Sequence, residues 1–254
     1  MIGWLLACGL AGVPLDLPSP PDLPSPLGPT APARALGTDW QSLSPLLRVR
    51  PYDLSTLPDE LAAQVSTGIG RAPDDRLRFV VVVDTPETVG VVGPATAAGW
   101  SRSEAEIYAV ARAHTRATLQ SDLKRHTQAF PSLSGGTIPG EMWTGGDTAS
   151  VLTDLDSFLG PAPHGALLSV PSRELVMVHH LSPDHPLDAV LATFAALTVV
   201  GASPDQEPFS RLLYWWHADT LRTLTVEDPD PGRPRVVSSP TLDALQHSLQ
   251  EAKE

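Results

Sequence analysis

The sequence predicts an α+β fold built on a twisted, largely antiparallel sheet with helices mainly on one face. Three times along the chain, over 77–122, 166–200 and 210–251, two short strand patterns are followed by a helical pattern. Short connections between paired strands demand antiparallel pairing, and each following helix can cover a face of the sheet. The three units have the same order of elements but no similarity of sequence.

The first unit combines β-branched strands with a long amphipathic helix. Leu77–Val83 is a continuous apolar run typical of a buried strand, and it turns into a second strand over 88–92. The helix is expected over 102–122, with a capping box formed by Ser101 and Glu104 at its start. Its predicted buried stripe consists of Ile107, Tyr108, Ala111, Thr115 and Leu119.

The middle of the chain is predicted to hold a long loop and a second helix. Residues 131–146 contain five Gly and two Pro, which favours a loop. Asp147 is a residue type that caps helices, and apolar side chains at helical spacing follow it to about residue 159. Strands are predicted over 166–170 and 174–180, with Pro171 at the first central position of the turn between them.

The remaining elements complete one α+β domain. A strongly apolar helix is expected over 186–200, strands over 210–217 and 220–226, and a final helix over 241–251. We therefore predict a single domain over residues 39–254, with a possible division into two lobes around the glycine-rich loop 134–146.

Residues 1–38 are predicted to be an apolar N-terminus followed by a linker. Residues 2–13 are apolar, and eight of the 27 prolines lie between Pro14 and Pro32, which is typical of an extended polyproline-like segment. The sequence around Cys8 resembles a lipobox, so Cys8 is a candidate lipidation site of a membrane-anchored lipoprotein. Only seven residues precede it, without Lys or Arg, and this favours a cytoplasmic protein with an unmodified Cys8.

Charge and composition exclude several partners. The net charge is −12, and DNA, RNA and anionic membranes select basic surfaces, so none of these is an expected partner. No apolar stretch reaches the roughly 20 residues that span a bilayer. A single cysteine excludes an internal disulfide framework and a multi-cysteine zinc site.

An ordered set of motifs carries a family resemblance over about residues 77–180. It starts at Phe79-Val-Val-Val-Val-Asp-Thr-Pro, passes Trp100 and Gly146-Asp147, and ends at the hinge Val-Pro-Ser-Arg-Glu before His180. This order resembles the YtpQ-like family of bacterial proteins. The family usually has Asp after the Arg, where Glu174 stands here. Because the family has no settled activity, the resemblance implies no catalytic residues.

His179, His180, Asp184 and His185 form the densest group of metal-ligating residue types. Adjacent residues of a strand point to opposite faces, so at most one of His179 and His180 can join His185. A zinc site needs three or four convergent ligands. His179, Asp184 and His185 are therefore the candidates for metal ligands, and a solvated strand end is favoured over a metal site.

Motifs for catalysis and for cofactors are missing from the sequence. No Gly-x-Ser-x-Gly elbow is present, and the eight histidines are scattered along the chain. The pairs Gly135-Gly136 and Gly145-Gly146 lack the Gly-Lys-Ser/Thr ending of a phosphate loop. We expect no cofactor.

Two groups of residues are candidates for binding. Asp147, Arg173 and Glu174 could line a small polar pocket for a carboxylate or a peptide end, although an Arg173–Asp147 pair that fixes the hairpin is favoured. Trp215 and Trp216 alternate on one strand, so one of them points away from the helices unless another segment covers it. These features favour a non-catalytic module that binds a protein partner or itself. The alternative is an enzyme of unrecognised type that acts near Asp147 and Arg173.

Overall fold

The computed structural model describes residues 39–200, 209–228 and 234–251. The predictions for residues 1–38, including Cys8, lie outside these ranges. Six helices are described: α1 (Trp40–Leu43), α2 (Asp59–Thr67), α3 (Pro94–Gly99), α4 (Glu104–Asp122), α5 (Leu187–Val200) and α6 (Pro240–Glu251). The described strands are β1 (Leu47–Asp53), β2 (Gly70–Arg71), β3 (Leu77–Asp84), β4 (Val89–Val91), β5 (Lys124–Pro131), β6 (Thr137–Thr144), β7 (Ala166–Ser172), β8 (Leu175–His180), β9 (Leu212–His217), β10 (Thr220–Glu227) and β11 (Arg235–Val236).

The strands form two antiparallel sheets, which confirms the predicted α+β class. The large sheet has the order β11-β10-β9-β7-β8-β6-β5. In the small sheet, β3 pairs on one side with β1 and on the other with the short strands β2 and β4. Each predicted strand pair is a hairpin or a direct neighbour pair, because a short connection leaves the chain no other partner within reach.

Both faces of the large sheet are covered. Successive side chains of β7 alternate between two cores: Leu167 packs with α5 and α6, whereas Leu168 packs towards the small sheet. On β9, Trp215 joins the first core and Tyr214 the second. Helices α5 and α6 lie on one face, as predicted. The sequence left the opposite face either open or covered by another segment, and the small sheet and its neighbouring segments cover it.

The small sheet is also buried on both sides, which explains its uninterrupted valine run. Val81 and Val83 of β3 enter the core between the sheets, while Val80 and Val82 pack against Val65 of α2. Burial of both faces removes the apolar–polar alternation that a half-exposed strand would show.

Helix α4 begins two residues later than predicted. Ser103 is the N-cap, its Oγ accepts from the Glu106 backbone N–H at 3.2 Å, and Glu106 Oε2 accepts from the Ser103 N–H at 2.9 Å. The predicted capping box at Ser101 and Glu104 is therefore wrong in register. The predicted buried stripe from Ile107 to Leu119 is confirmed, since the five residues named for it are all buried.

The glycine-rich segment is a strand of the large sheet, so the predicted loop over 131–146 is wrong. Residues 137–144 pair with β5 and with β8. Gly140 is required here because a Cβ atom at this position would lie 2.4 Å from the Val178 carbonyl oxygen. A glycine inside a strand can therefore mark a close backbone approach rather than a loop.

The segment after Asp147 forms two 3-10 turns, Thr148–Thr153 and Leu155–Ser157, instead of the predicted α-helix. Asp147 makes no side-chain capping bond to the backbone. All six residues of the first turn are buried where the segment touches β1, α4 and β8. The tighter helix thus fills the space between the two sheets.

The β7–β8 hairpin turns at Arg173 and Glu174. Pro171 and Ser172 belong to β7, so the prediction that Pro171 opens the turn is wrong. The pairing register shifts between Ser169 and Ser172, and this irregularity accommodates a proline within the strand.

Gly140→Ala should destabilise the protein by about 2 kcal/mol, because the new methyl group must displace the β8 backbone or Phe130. Urea unfolding followed by tryptophan fluorescence measures the loss. Gly99→Ala is the control, since a Cβ atom at Gly99 would meet no atom within 4 Å. Equal stability of the two variants would show that β6 and β8 do not approach each other this closely.

Candidate functional site

Four charged side chains form an alternating chain between the two sheets. Arg50 of β1 reaches Asp84 at 2.9 Å through Nη2 and Asp147 at 3.2 Å through Nε. Asp147 in turn lies 3.4 Å from Nη1 of Arg173. We call Arg173, Asp147, Arg50 and Asp84 the charge chain. The pair predicted between Arg173 and Asp147 is present in it.

Arg173 is held by more than its ion pair. Its guanidinium lies 4.8 Å from the Tyr52 ring centroid and 5.6 Å from that of Phe209, within cation–π range. Its backbone oxygen accepts from the Ala149 N–H at 2.8 Å. The side chain is almost completely buried. Arg173 therefore anchors the β7–β8 turn against β1 and the 3-10 segment.

The charges of the chain stabilise each other. Burial raises the pKa of Asp147, but Arg50 and Arg173 outweigh it and leave this pKa below its ordinary value. Burial likewise opposes the charge of Arg50, and the carboxylates of Asp147 and Asp84 reverse the effect and raise its pKa. Asp147 and Arg50 are thus each held in the charged form by neighbours of opposite charge. Glu174 is partly exposed at the turn and takes no part in these ion pairs.

A small cleft of about 50 Å³ opens beside the charge chain. Its walls include the carboxylates of Asp84, Asp122 and Asp147, and Arg48 stands among them. A bound carboxylate would face these acidic groups, while Arg50 and Arg173 are already engaged by Asp84 and Asp147. The geometry therefore disfavours the carboxylate or peptide-end pocket that the sequence suggested near Asp147 and Arg173.

The histidine group is divided between the two faces of β8. His179 is buried, with Nδ1 2.6 Å from the Pro139 carbonyl oxygen and its ring 5.4 Å from that of His185. His180 instead lies 3.9 Å from Glu141, and Asp184 accepts a hydrogen bond from Ser182. Across the described ranges, no group of three His, Cys, Asp or Glu side chains converges as a metal site would require.

The two tryptophans have different environments. Trp215 is 1% exposed and packs with α5 and α6, whereas Trp216 points to the other face and is half-buried at the edge of the core between the sheets. Trp216 is therefore the tryptophan that faces away from those helices. The strand alternation predicted from the sequence separates the two rings as expected.

Trp216 lines an open groove of about 430 Å³. Leu159, Ala162 and Pro163 contribute apolar surface, and Asp156 and Asp219 contribute carboxylates. We call these six residues the Trp216 groove. Gly165 brings the wall formed by the 160–165 loop close to β9, since a Cβ atom there would lie 2.3 Å from the Trp216 carbonyl oxygen.

A strained turn stands at one end of the groove. Ala218 and Asp219 form the two-residue link between β9 and β10, and both have left-handed backbone angles, with φ of 46° and 59°. This is the type I′ geometry that hairpins favour and that Asn-Gly supplies without strain. Alanine in this conformation costs about 1 kcal/mol. Strained backbone of this kind is concentrated at functional sites of proteins.

Sequence reasoning named Trp216 but missed Asp156 and Asp219. Asp219 carried a detectable signal, because two predicted strands separated by two residues require positive φ at that link. No sequence signal pointed to Asp156. It lies near Asp219 only in the folded protein, because the two residues are 63 positions apart in the chain.

Comparison with protein-family models, with curated proteins and with solved structures gives no significant match. Among the helices of the described ranges, none has the length and apolar character to cross a membrane.

Asp147→Asn should destabilise the protein by about 2 kcal/mol, because it leaves the buried Arg173 without its counter-charge. The magnitude lies below that for a fully buried pair, since the Asp147 side chain is 23% exposed. Chemical denaturation at pH 7 measures the change. Asp122→Asn, at the wall of the same cleft, removes the same charge outside the chain and should have little effect. A comparable loss in both variants would contradict a specific role of Asp147.

His179 should make the protein less stable in mild acid. Burial lowers the pKa of His179, so below the unfolded value of about 6.5 the unfolded chain takes up a proton that the folded protein resists. Its contribution is present above about pH 6.5 and falls by at most about 1.4 kcal/mol per pH unit as the pH drops towards the folded pKa.

Melting temperatures between pH 7.5 and 5 test this dependence. His179→Gln should show a smaller loss than the wild type, whereas His126→Gln, at an exposed position of β5, should match the wild type. If the melting temperatures of all three proteins changed with pH in the same way, His179 would have the same pKa in the folded and the unfolded protein.

Proposed function

We propose that this protein is a non-catalytic interaction module that docks a protein partner at the Trp216 groove. The observation that carries the proposal is a half-buried tryptophan in an open groove of about 430 Å³. Large aromatic side chains dominate binding energies at protein interfaces because they remove much apolar surface with few rotatable bonds. The strained Ala218–Asp219 turn at the groove supports the same assignment.

The charge chain supports a structural role for the other candidate residues. Arg173 and Asp147 neutralise each other, and Arg173 is further enclosed by two aromatic rings. This arrangement favours the interaction module over the alternative of an enzyme acting near these residues. Membership of the YtpQ-like family and a cytoplasmic location remain predictions from the sequence.

Site-specific photo-cross-linking in cells of the source organism tests the proposal. A photoreactive amino acid in place of Pro163, an exposed groove residue, should yield one discrete adduct whose partner mass spectrometry identifies. Trp216→Ala in the same chain should abolish the adduct. The same photoreactive group at Asp188, an exposed residue of α5, is the control for random contacts. Equal labelling from both positions, or an adduct that survives Trp216→Ala, would contradict docking at the groove.

The stability of the tryptophan variants separates binding from folding. Trp216→Ala should lower the melting temperature by no more than about 5 °C, because the ring is only half-buried. Trp215→Ala should cost about 3–5 kcal/mol, since it empties a fully buried position between β9 and the helices. Similar large losses in both variants would show that both rings belong to the core and that loss of the adduct reports unfolding.

A further inference from the structure

The Trp216 groove has an acidic end formed by Asp156 and Asp219. The two side chains come from the second 3-10 turn and from the β9–β10 link, and both residues are exposed. Both side chains line the groove and interact electrostatically with each other. Partial burial, the charge of Asp219 and the nearby Asp154 together raise the pKa of Asp156. The groove thus places two like charges close together at one end.

Two arginines near this acidic end act on Asp156 through space but form their ion pairs with another carboxylate. Arg112 and Arg116 of α4 both pair with the buried carboxylate of Asp154. Within ranges 39–200, 209–228 and 234–251, the ion pairs include none to Asp156 or Asp219. The charge chain shows the opposite arrangement, in which every carboxylate faces a guanidinium. The carboxylates of the Trp216 groove are therefore able to form ion pairs with a cationic group of a partner.

The groove combines the two surfaces that recognise an arginine side chain. A planar guanidinium can donate to two carboxylates at once, and its face can stack on an aromatic ring, which a lysine ammonium does less well. Asp156 and Asp219 supply the acceptors, Trp216 the ring, and Ala162 and Pro163 apolar surface for the methylene groups. The net charge of −12 attracts a basic partner over a longer range.

We propose that the Trp216 groove receives an arginine side chain from a basic segment of a different protein, with its guanidinium between Asp156, Asp219 and the Trp216 ring. This inference rests on the proposed interaction function and adds the chemistry of the partner to it. Neither a divalent cation nor a second copy of this chain is the proposed occupant.

Two matched peptides test the chemistry of the occupant. Acetyl-Gly-Arg-Arg-Gly-amide is titrated into the ¹⁵N-labelled full chain, and the indole N–H signal of Trp216, assigned with Trp216→Phe, reports binding. The same peptide with citrulline in place of arginine keeps the shape and removes the charge. We expect the arginine peptide to bind at least about tenfold more tightly than the citrulline peptide, which corresponds to about 1.4 kcal/mol.

Paired variants locate the interaction. Asp156→Asn with Asp219→Asn should weaken arginine-peptide binding at least about tenfold. Asparagine tolerates the left-handed conformation of residue 219, so the turn is preserved. Asp75→Asn with Asp188→Asn removes the same total charge at exposed positions away from the groove and should leave the affinity within about twofold. If both double variants bound the arginine peptide equally weakly, the loss of affinity would come from the overall charge of the protein. That result would overturn the proposal.

Other outcomes also overturn it. Equal affinity for the arginine and citrulline peptides would exclude guanidinium recognition. Calcium chloride that shifts the Trp216 signal while the arginine peptide leaves it unchanged would identify a metal site. Self-association that the Asp156→Asn, Asp219→Asn chain loses would identify a second copy as the occupant.

Failure of this inference differs from failure of the proposed function. If the Pro163 adduct persists in the Asp156→Asn, Asp219→Asn chain but disappears in Trp216→Ala, the groove docks a partner without arginine recognition. If the adduct persists in Trp216→Ala, docking at the groove itself is refuted, whatever the peptide titration gives.

Discussion

The alternation of charges along Arg173, Asp147, Arg50 and Asp84 is the constraint on which the arrangement of the two sheets depends. Buried charges are tolerated only when each faces an opposite charge at contact distance. Arg50 and Asp84 belong to the small sheet, Arg173 to the turn of the large sheet, and Asp147 to the segment between them. A shift of either sheet would leave a buried charge unpaired, so the ion pairs define the position that apolar packing alone would leave adjustable.

The same constraint explains why the charged groups of these residues already have partners within the protein. Their charges are complementary within the protein, and Arg173 is enclosed between Tyr52 and Phe209. A ligand would have to break pairs that hold the sheets together. Asp154 repeats the principle at a second place, where a buried carboxylate ties the 3-10 segment to Arg112 and Arg116 of α4. Ion pairs of buried groups are therefore found where separate segments of this fold contact each other.

The Trp216 groove differs in both charge and shape from the sites of these buried ion pairs. The charge of Asp219 raises the pKa of Asp156, and the adjoining turn holds Ala218 in a costly conformation. Neither feature stabilises the folded chain. A partner that supplies a cation and covers Trp216 would convert this local instability into binding energy, because the protein has already ordered the groups that it contacts.

The sequence by itself determined the local structure wherever the periodicity was unambiguous. The stripe of α4, the valines of β3 and the alternation of Trp215 and Trp216 depend only on neighbours along the chain, and all three have the expected burial. Only the tertiary structure decided how Gly140, Asp147 and Asp156 are used. Gly140 meets a carbonyl group of β8, Asp147 meets arginines of both sheets, and Asp156 meets Asp219. These contacts join residues distant in the chain, and local propensity holds no information about which distant atoms will lie within a few ångströms.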